Sequence, residues 1–80
     1  MNASDKKYLC ALGKAIRELR EAQGISQDQL AYESGLHRTT INRIENGHFD
    51  AGALALRAIA KALNVPTTGE IFLFEKKEGK

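Results

Sequence analysis

From Arg38 to Asn46 the chain reads RTTINRIEN. Wound as an α-helix at about 100° per residue, this stretch puts Ile41 and Ile44 on one side. Thr39, Asn42, Arg43 and Asn46 gather on the other, with Arg38 at its edge. No acid sits among them, and each can donate a hydrogen bond. Arginine pairs with guanine O6 and N7, asparagine with adenine N6 and N7, and threonine offers a hydroxyl or a methyl. That is the chemistry of reading base edges in duplex DNA. The competing reading is an ordinary solvated helix face, which usually mixes Glu with Lys; taken alone, the stretch fits either.

The elements that must position this face are all helical. Leu9, Leu12, Ile16 and Leu19 recur at helical spacing, which predicts a first helix from about Ser4 to Gln23 with Gly24 as its stop. Ser26 and Gln29 form a capping-box pattern, and Ile25 with Leu30 a hydrophobic staple, so a second helix runs from about Gln27 to Ser34 and ends at Gly35. The third runs from about Arg38 to Asn46, with His37 at its cap, Leu36 and Ile41 at staple spacing, and Asn46-Gly47 as its stop. Two short helices joined by a tight glycine turn are the signature of a helix-turn-helix. Asp50 is expected to cap a fourth helix, stapled by Phe49 and Leu54, with Leu56, Ile59, Ala60 and Leu63 buried and Asn64 and Pro66 at its end. Thr67 and Glu70 repeat the capping pattern, so Gly69 to Phe74 reads as a fifth helix. The rival is a strand, because Ile71-Phe72-Leu73-Phe74 is rich in β-formers. Glu75 to Lys80 is a charged tail.

Two further residues take roles from position. Gln27 opens the second helix, where free amides and the dipole favour a phosphate; it reads as a backbone contact or as a solvated first-turn residue. Glu45 sits near the end of the third helix, where the macrodipole disfavours an anion, and flanks the isoleucine side. A charge so close to a core needs a cation. Arg20, four residues after Ile16, is the expected partner; the alternative is that each reaches solvent separately.

Eighty residues with a net charge of +2 and 42% hydrophobic content predict one globular domain spanning 1–80, with its core over about 4–74. The single cysteine, Cys10, excludes an intrachain disulfide and points to a reducing, cytoplasmic setting. It reads as a small buried hydrophobe rather than a nucleophile. Neither a signal peptide nor a membrane-spanning run is expected, because the N-terminus carries Asp5, Lys6 and Lys7 without a long apolar core and no apolar run approaches a span. No paired-carboxylate, nucleophile or phosphate-loop motif is present, and His37 and His48 lack companions for a metal. The expectation is therefore no enzyme, no cofactor, no metal and no small-molecule substrate. Tyr8 and Tyr32 read as helix-surface packing residues.

The chain resembles the lambda-repressor-like, Cro/XRE family of bacterial and phage DNA-binding domains. The matching segments are Leu12-Gly13-x-x-Ile16-Arg17-x-x-Arg20, Ser26-Gln27-x-x-Leu30-Ala31, Gly35-Leu36, Thr40 to Gly47, and Leu56 to Val65. The resemblance covers about Leu9 to Phe74 and implies an all-α, five-helix bundle with the helix-turn-helix in helices two and three, which favours helix for the fifth element. It implies base contacts from Arg38, Thr39 and Arg43, with Asn42 as an accessory reader. It implies phosphate contacts from Gln27, Thr40 and Asn46, and a structural pair of Arg20 with Glu45. His37 stands where the family usually caps with Ser or Thr, and when protonated it can touch phosphate. His48 and Phe49 replace residues that are often basic.

The function expected is a sequence-specific transcriptional regulator on double-stranded DNA. One short helix reads few base pairs, so a two-fold homodimer on a palindrome is expected. Ile71, Phe72 and Phe74 are the expected dimer contacts, the alternative being that Ile71 and one Phe seal the core. A second class remains: a protein-interaction module such as an antitoxin, possibly autoregulatory, which the near-neutral charge supports.

Overall fold

Four helices follow one another in the computed structural model, which describes residues 2–65. They are α1 (Ala3–Ala22), α2 (Gln27–Ser34), α3 (Arg38–Glu45) and α4 (Gly52–Ala62), with no strand among the described residues. The fifth helix expected over 69–74, its strand rival, and the dimer contacts Ile71, Phe72 and Phe74 lie outside them.

The four helices share one way of stopping. Gly24, Gly35, Gly47 and Asn64 all take a left-handed backbone, with φ of 71°, 74°, 74° and 60°. The next amide then reaches back five residues: Ile25 to the Arg20 carbonyl, Leu36 to Ala31, His48 to Arg43 and Val65 to Ala60, at 2.9–3.3 Å. Orphan carbonyls at each helix end are thereby satisfied, and glycine or asparagine is needed because other side chains crowd that conformation.

The starts differ more from one another. Asn2 caps α1 by accepting from the Asp5 amide at 2.8 Å, so the helix begins one residue before Ser4. Ser26 caps α2 through the Gln29 amide at 3.0 Å. The expected box is only half made, because the Gln29 side chain donates to Glu33 at 2.6 Å instead of reaching back. At α4 the expected cap is displaced. Asp50 accepts from the Gly52 amide at 3.3 Å, but the cap position is Ala51 and its side chain makes no capping bond. Gly52, with φ of 82°, sets this late start. Leu54 is 79% and Phe49 39% exposed, so the expected staple buries little of Leu54.

The core is built from the expected apolar stripes: Leu12 and Ile16 of α1, Leu30 and Ala31 of α2, Ile41 and Ile44 of α3, and Ile59, Ala60 and Leu63 at α4. α3 packs on both α1 and α2, and α2 also packs on α4. The approach of α1 to the end of α3 depends on two glycines. A Cβ on Gly13 would lie 2.6 Å from the Glu45 carbonyl oxygen and closer still to that of Ile44. One on Gly47 would lie 2.8 Å from the Cys10 Cα. Backbone therefore touches backbone where α1 meets the α3 terminus. Cys10, expected to be buried, is exposed, because it lies at the rim of this junction and not in the stripe of Leu9, Leu12 and Ile16. Among the described residues, no helix is long and apolar enough to cross a membrane.

Candidate nucleic-acid interface

The hydrophobic stripe of α3 fixes what the rest of the helix can do. Ile41 and Ile44 are buried at 0% and 2% exposure, so the opposite flank faces outward. Arg38, Thr39, Asn42, Arg43 and Asn46 are all exposed there, and Thr40 is half-buried at its side. Gln27 from α2 joins Arg38, Thr39 and Asn42 around a surface hollow of about 290 Å³. The structure thus brings most of the expected reading and phosphate-contacting residues onto one surface. His37 is exposed at the start of α3 and caps it without a side-chain hydrogen bond.

Arg38 and Glu45 run against the α3 dipole, while Arg43 in the last turn runs with it. Arg38 opens the helix with no acid in the first turn, and Glu45 closes it. Each inversion costs about 0.3–1 kcal/mol unless compensated. Both are compensated from another helix. Arg38 Nε lies 3.2 Å from Asp28 Oδ1 on α2, with both side chains largely exposed. Glu45, only 4% exposed, takes Arg20 Nε at 2.7 Å and Arg20 Nη2 at 3.0 Å. Arg20 spends a further donor on the Ile25 carbonyl at 2.9 Å, so the buried charges are met by hydrogen bonds as burial requires. The hydrogen bond to Glu45 raises the Arg20 pKa, against desolvation, which lowers it.

A chain of amides continues outward from this pair. Gln27 Nε2 donates to Glu45 Oε1 at 3.0 Å. Asn42 Nδ2 donates to Gln27 Oε1 at a long 3.4 Å, and Asn46 Nδ2 donates to Asn42 Oδ1 at 3.2 Å. The buried carboxylate therefore fixes which way the Gln27 amide faces, with its second N–H left over.

Two participants have no counterpart in the sequence reading: Asp28 beside Arg38, and the Gln27–Glu45 bond. Spacing gave no signal for either, since both depend on how α2 and α3 cross. Tyr32 is 85% exposed and packs against little. Arg43 makes no ion pair among the described residues. No group of three or more His, Cys, Asp or Glu in the described part of the chain is placed to hold a metal ion.

Fold and face together define a helix-turn-helix protein. Comparison with known families bears on the same residues: a model described as Helix-turn-helix matches residues 16–69. The chain belongs to that family, in its Cro/XRE group of regulators. It is 39% identical over 62 residues to the competence pilus inhibition repressor of Acinetobacter baylyi. It is 42% identical over 53 residues to the control protein C.SmaI of Serratia marcescens. Those alignments take in 78% and 66% of this chain, and 56% and 63% of the relatives, so the chain spans rather more than half the length of each. Among solved structures it is similar to the restriction-modification controller protein C.AhdI from Aeromonas hydrophila, with a TM-score of 0.80 and 35% identity. That superposition covers 82% of this chain and 98% of the other.

Proposed function

We propose that the chain is a sequence-specific DNA-binding transcriptional regulator that lays α3 in the major groove. One observation carries this reading: α3 is anchored by buried Ile41, Ile44 and Glu45 while its acid-free flank is exposed. The kinship with a named repressor and with controller proteins supports the same class of activity.

In this reading Arg38 and Arg43 address guanine, and Asn42 and Thr39 address adjacent base edges. To do so Asn42 exchanges two long, exposed bonds, to Gln27 at 3.4 Å and from Asn46 at 3.2 Å, for bonds to a base. Gln27 offers its remaining N–H to a phosphate at the α2 N-terminus, and Thr40, Asn46 and His37 hold the flanking backbone. Such contacts set register, while the base contacts set sequence. Two copies related by a two-fold axis, joined through Ile71, Phe72 and Phe74, would place two reading helices about 34 Å apart on a palindrome.

The test is selection from a randomised duplex pool with purified protein, followed by mobility shifts. A two-fold symmetric consensus, bound far more tightly than shuffled duplex, is the expected result. Recovery of unenriched sequence would overturn the reading.

A further inference from the structure

Among the described residues, Asp28 is the one exposed carboxylate from another helix that pairs with the reading flank. It stands in the first turn of α2, next to Gln27. Its Oδ1 lies 3.2 Å from Arg38 Nε, and the two side chains are 74% and 67% exposed. The pair offsets the charge that Arg38 places against the α3 dipole, but an ion pair this exposed contributes little to stability, which leaves room for a second role. The α2 N-terminus is also where a regulator of this kind would hold a phosphate, and a carboxylate there repels one.

The geometry suggests a different use. Arginine carries five N–H donors in a rigid fork. Engaging Nε leaves both terminal nitrogens, the end that pairs with guanine O6 and N7. A free Arg38 at the mouth of the hollow samples many rotamers and meets any phosphate within reach. Tied at Nε, it presents its end-on fork in one direction. Asp28 also keeps Oδ2, an acceptor beside a flank otherwise composed of donors.

We infer that Asp28 is a positioning residue for Arg38 and a determinant of DNA specificity. It holds the guanidinium for base reading and lowers affinity for duplex of arbitrary sequence. This inference rests on the reading of Arg38 as a base contact.

The experiment compares wild type, D28N, R38A and the double variant by selection from the same randomised pool, with affinities measured on the selected and shuffled duplexes. Helical circular dichroism of each variant checks the fold. The expected D28N result is a few-fold gain on shuffled duplex and a drop of about tenfold in the selected-to-shuffled ratio. Base preference should relax only at the position that R38A also relaxes, and D28N should add nothing further in the R38A background. Unchanged D28N preference with a selective R38A loss would overturn the role of Asp28 while leaving base reading by Arg38 intact. Equal loss on both duplexes for R38A would remove the base-reading assignment itself, and the inference with it. Relaxation at positions unrelated to Arg38 would also overturn it, by showing a general effect of charge.

Discussion

Glu45 and Arg20 meet through two hydrogen bonds, Nε to Oε2 at 2.7 Å and Nη2 to Oε1 at 3.0 Å, and the pair clamps the end of α3 to α1. Gln27 shares the same carboxylate, so the clamp reaches the start of α2 as well. One buried acid thus orients all three helices around the exposed flank.

Removing the arginine should be severe. An 80-residue domain has a total stability of about 4–12 kcal/mol. Arg20→Ala leaves Glu45 buried without its cation, at an expected cost of about 3–5 kcal/mol. A double change to apolar residues, Arg20→Met with Glu45→Leu, should recover most of that loss. Urea unfolding of the three proteins checks this; equal stability of Arg20→Ala and wild type would show the pair to be unimportant. The sign of the pH effect follows from the Arg20 shift. A pKa raised above the ordinary arginine value, chiefly by the hydrogen bond to Glu45, gives stability that is complete below that value and lost only as pH rises past it, so this group adds no pH dependence near neutrality.

Gly13→Ala should destabilise although alanine favours helices. Its methyl would overlap the carbonyls of Ile44 and Glu45, and over-packing of this kind costs about 1–3 kcal/mol or more. Gly24→Ala is the contrast. Nothing lies within 4 Å of its Cβ position, and only the left-handed backbone opposes it, at about 1–2 kcal/mol. Thermal melting should rank Gly13→Ala as the less stable; the reverse order would contradict the close approach of α1 and α3.

Arg38→Ala and Arg43→Ala should each cost about 1–3 kcal/mol of specific binding and relax preference at one base position. Neither should lower stability by more than about 1 kcal/mol, because Arg38 opposes its own helix dipole, and Arg43, which favours the dipole from the last turn, has no ion pair among the described residues. Mobility shifts on selected and shuffled duplexes, alongside melting curves, separate the two properties.

Gln27→Ala should weaken binding to all sequences alike, since a phosphate contact carries no base information. Affinity of the intact protein should fall with salt by about 0.9 log units per log salt for each phosphate neutralised. A titration in potassium chloride that stays flat would argue against DNA as the ligand.

Much of this was legible in residue spacing. The α2 boundaries, the Ile41 and Ile44 stripe, and the glycine stops follow from periodicity and capping, because those signals are local and the physics that enforces them acts within one or two turns. The Asp50 cap with its Phe49 and Leu54 staple was misplaced for a comparable reason: two local patterns competed, and Gly52 decided the start of α4 one residue later. The burial expected for Cys10 failed because a helix stripe says which side is apolar, not how far a neighbouring helix extends over its rim.

Sequence alone determined the four described helices, the division of α3 into an apolar and a donor-rich flank, and the need for a cation near Glu45. Only the tertiary structure decided that Gly13 and Gly47 are points of backbone contact, that Gln27 belongs to the Glu45 network, and that Asp28 reaches Arg38. The physical reason is range. Helix periodicity and caps are fixed by neighbours a few residues apart, whereas these contacts join segments far apart in the chain and exist only once the helices have chosen their crossing.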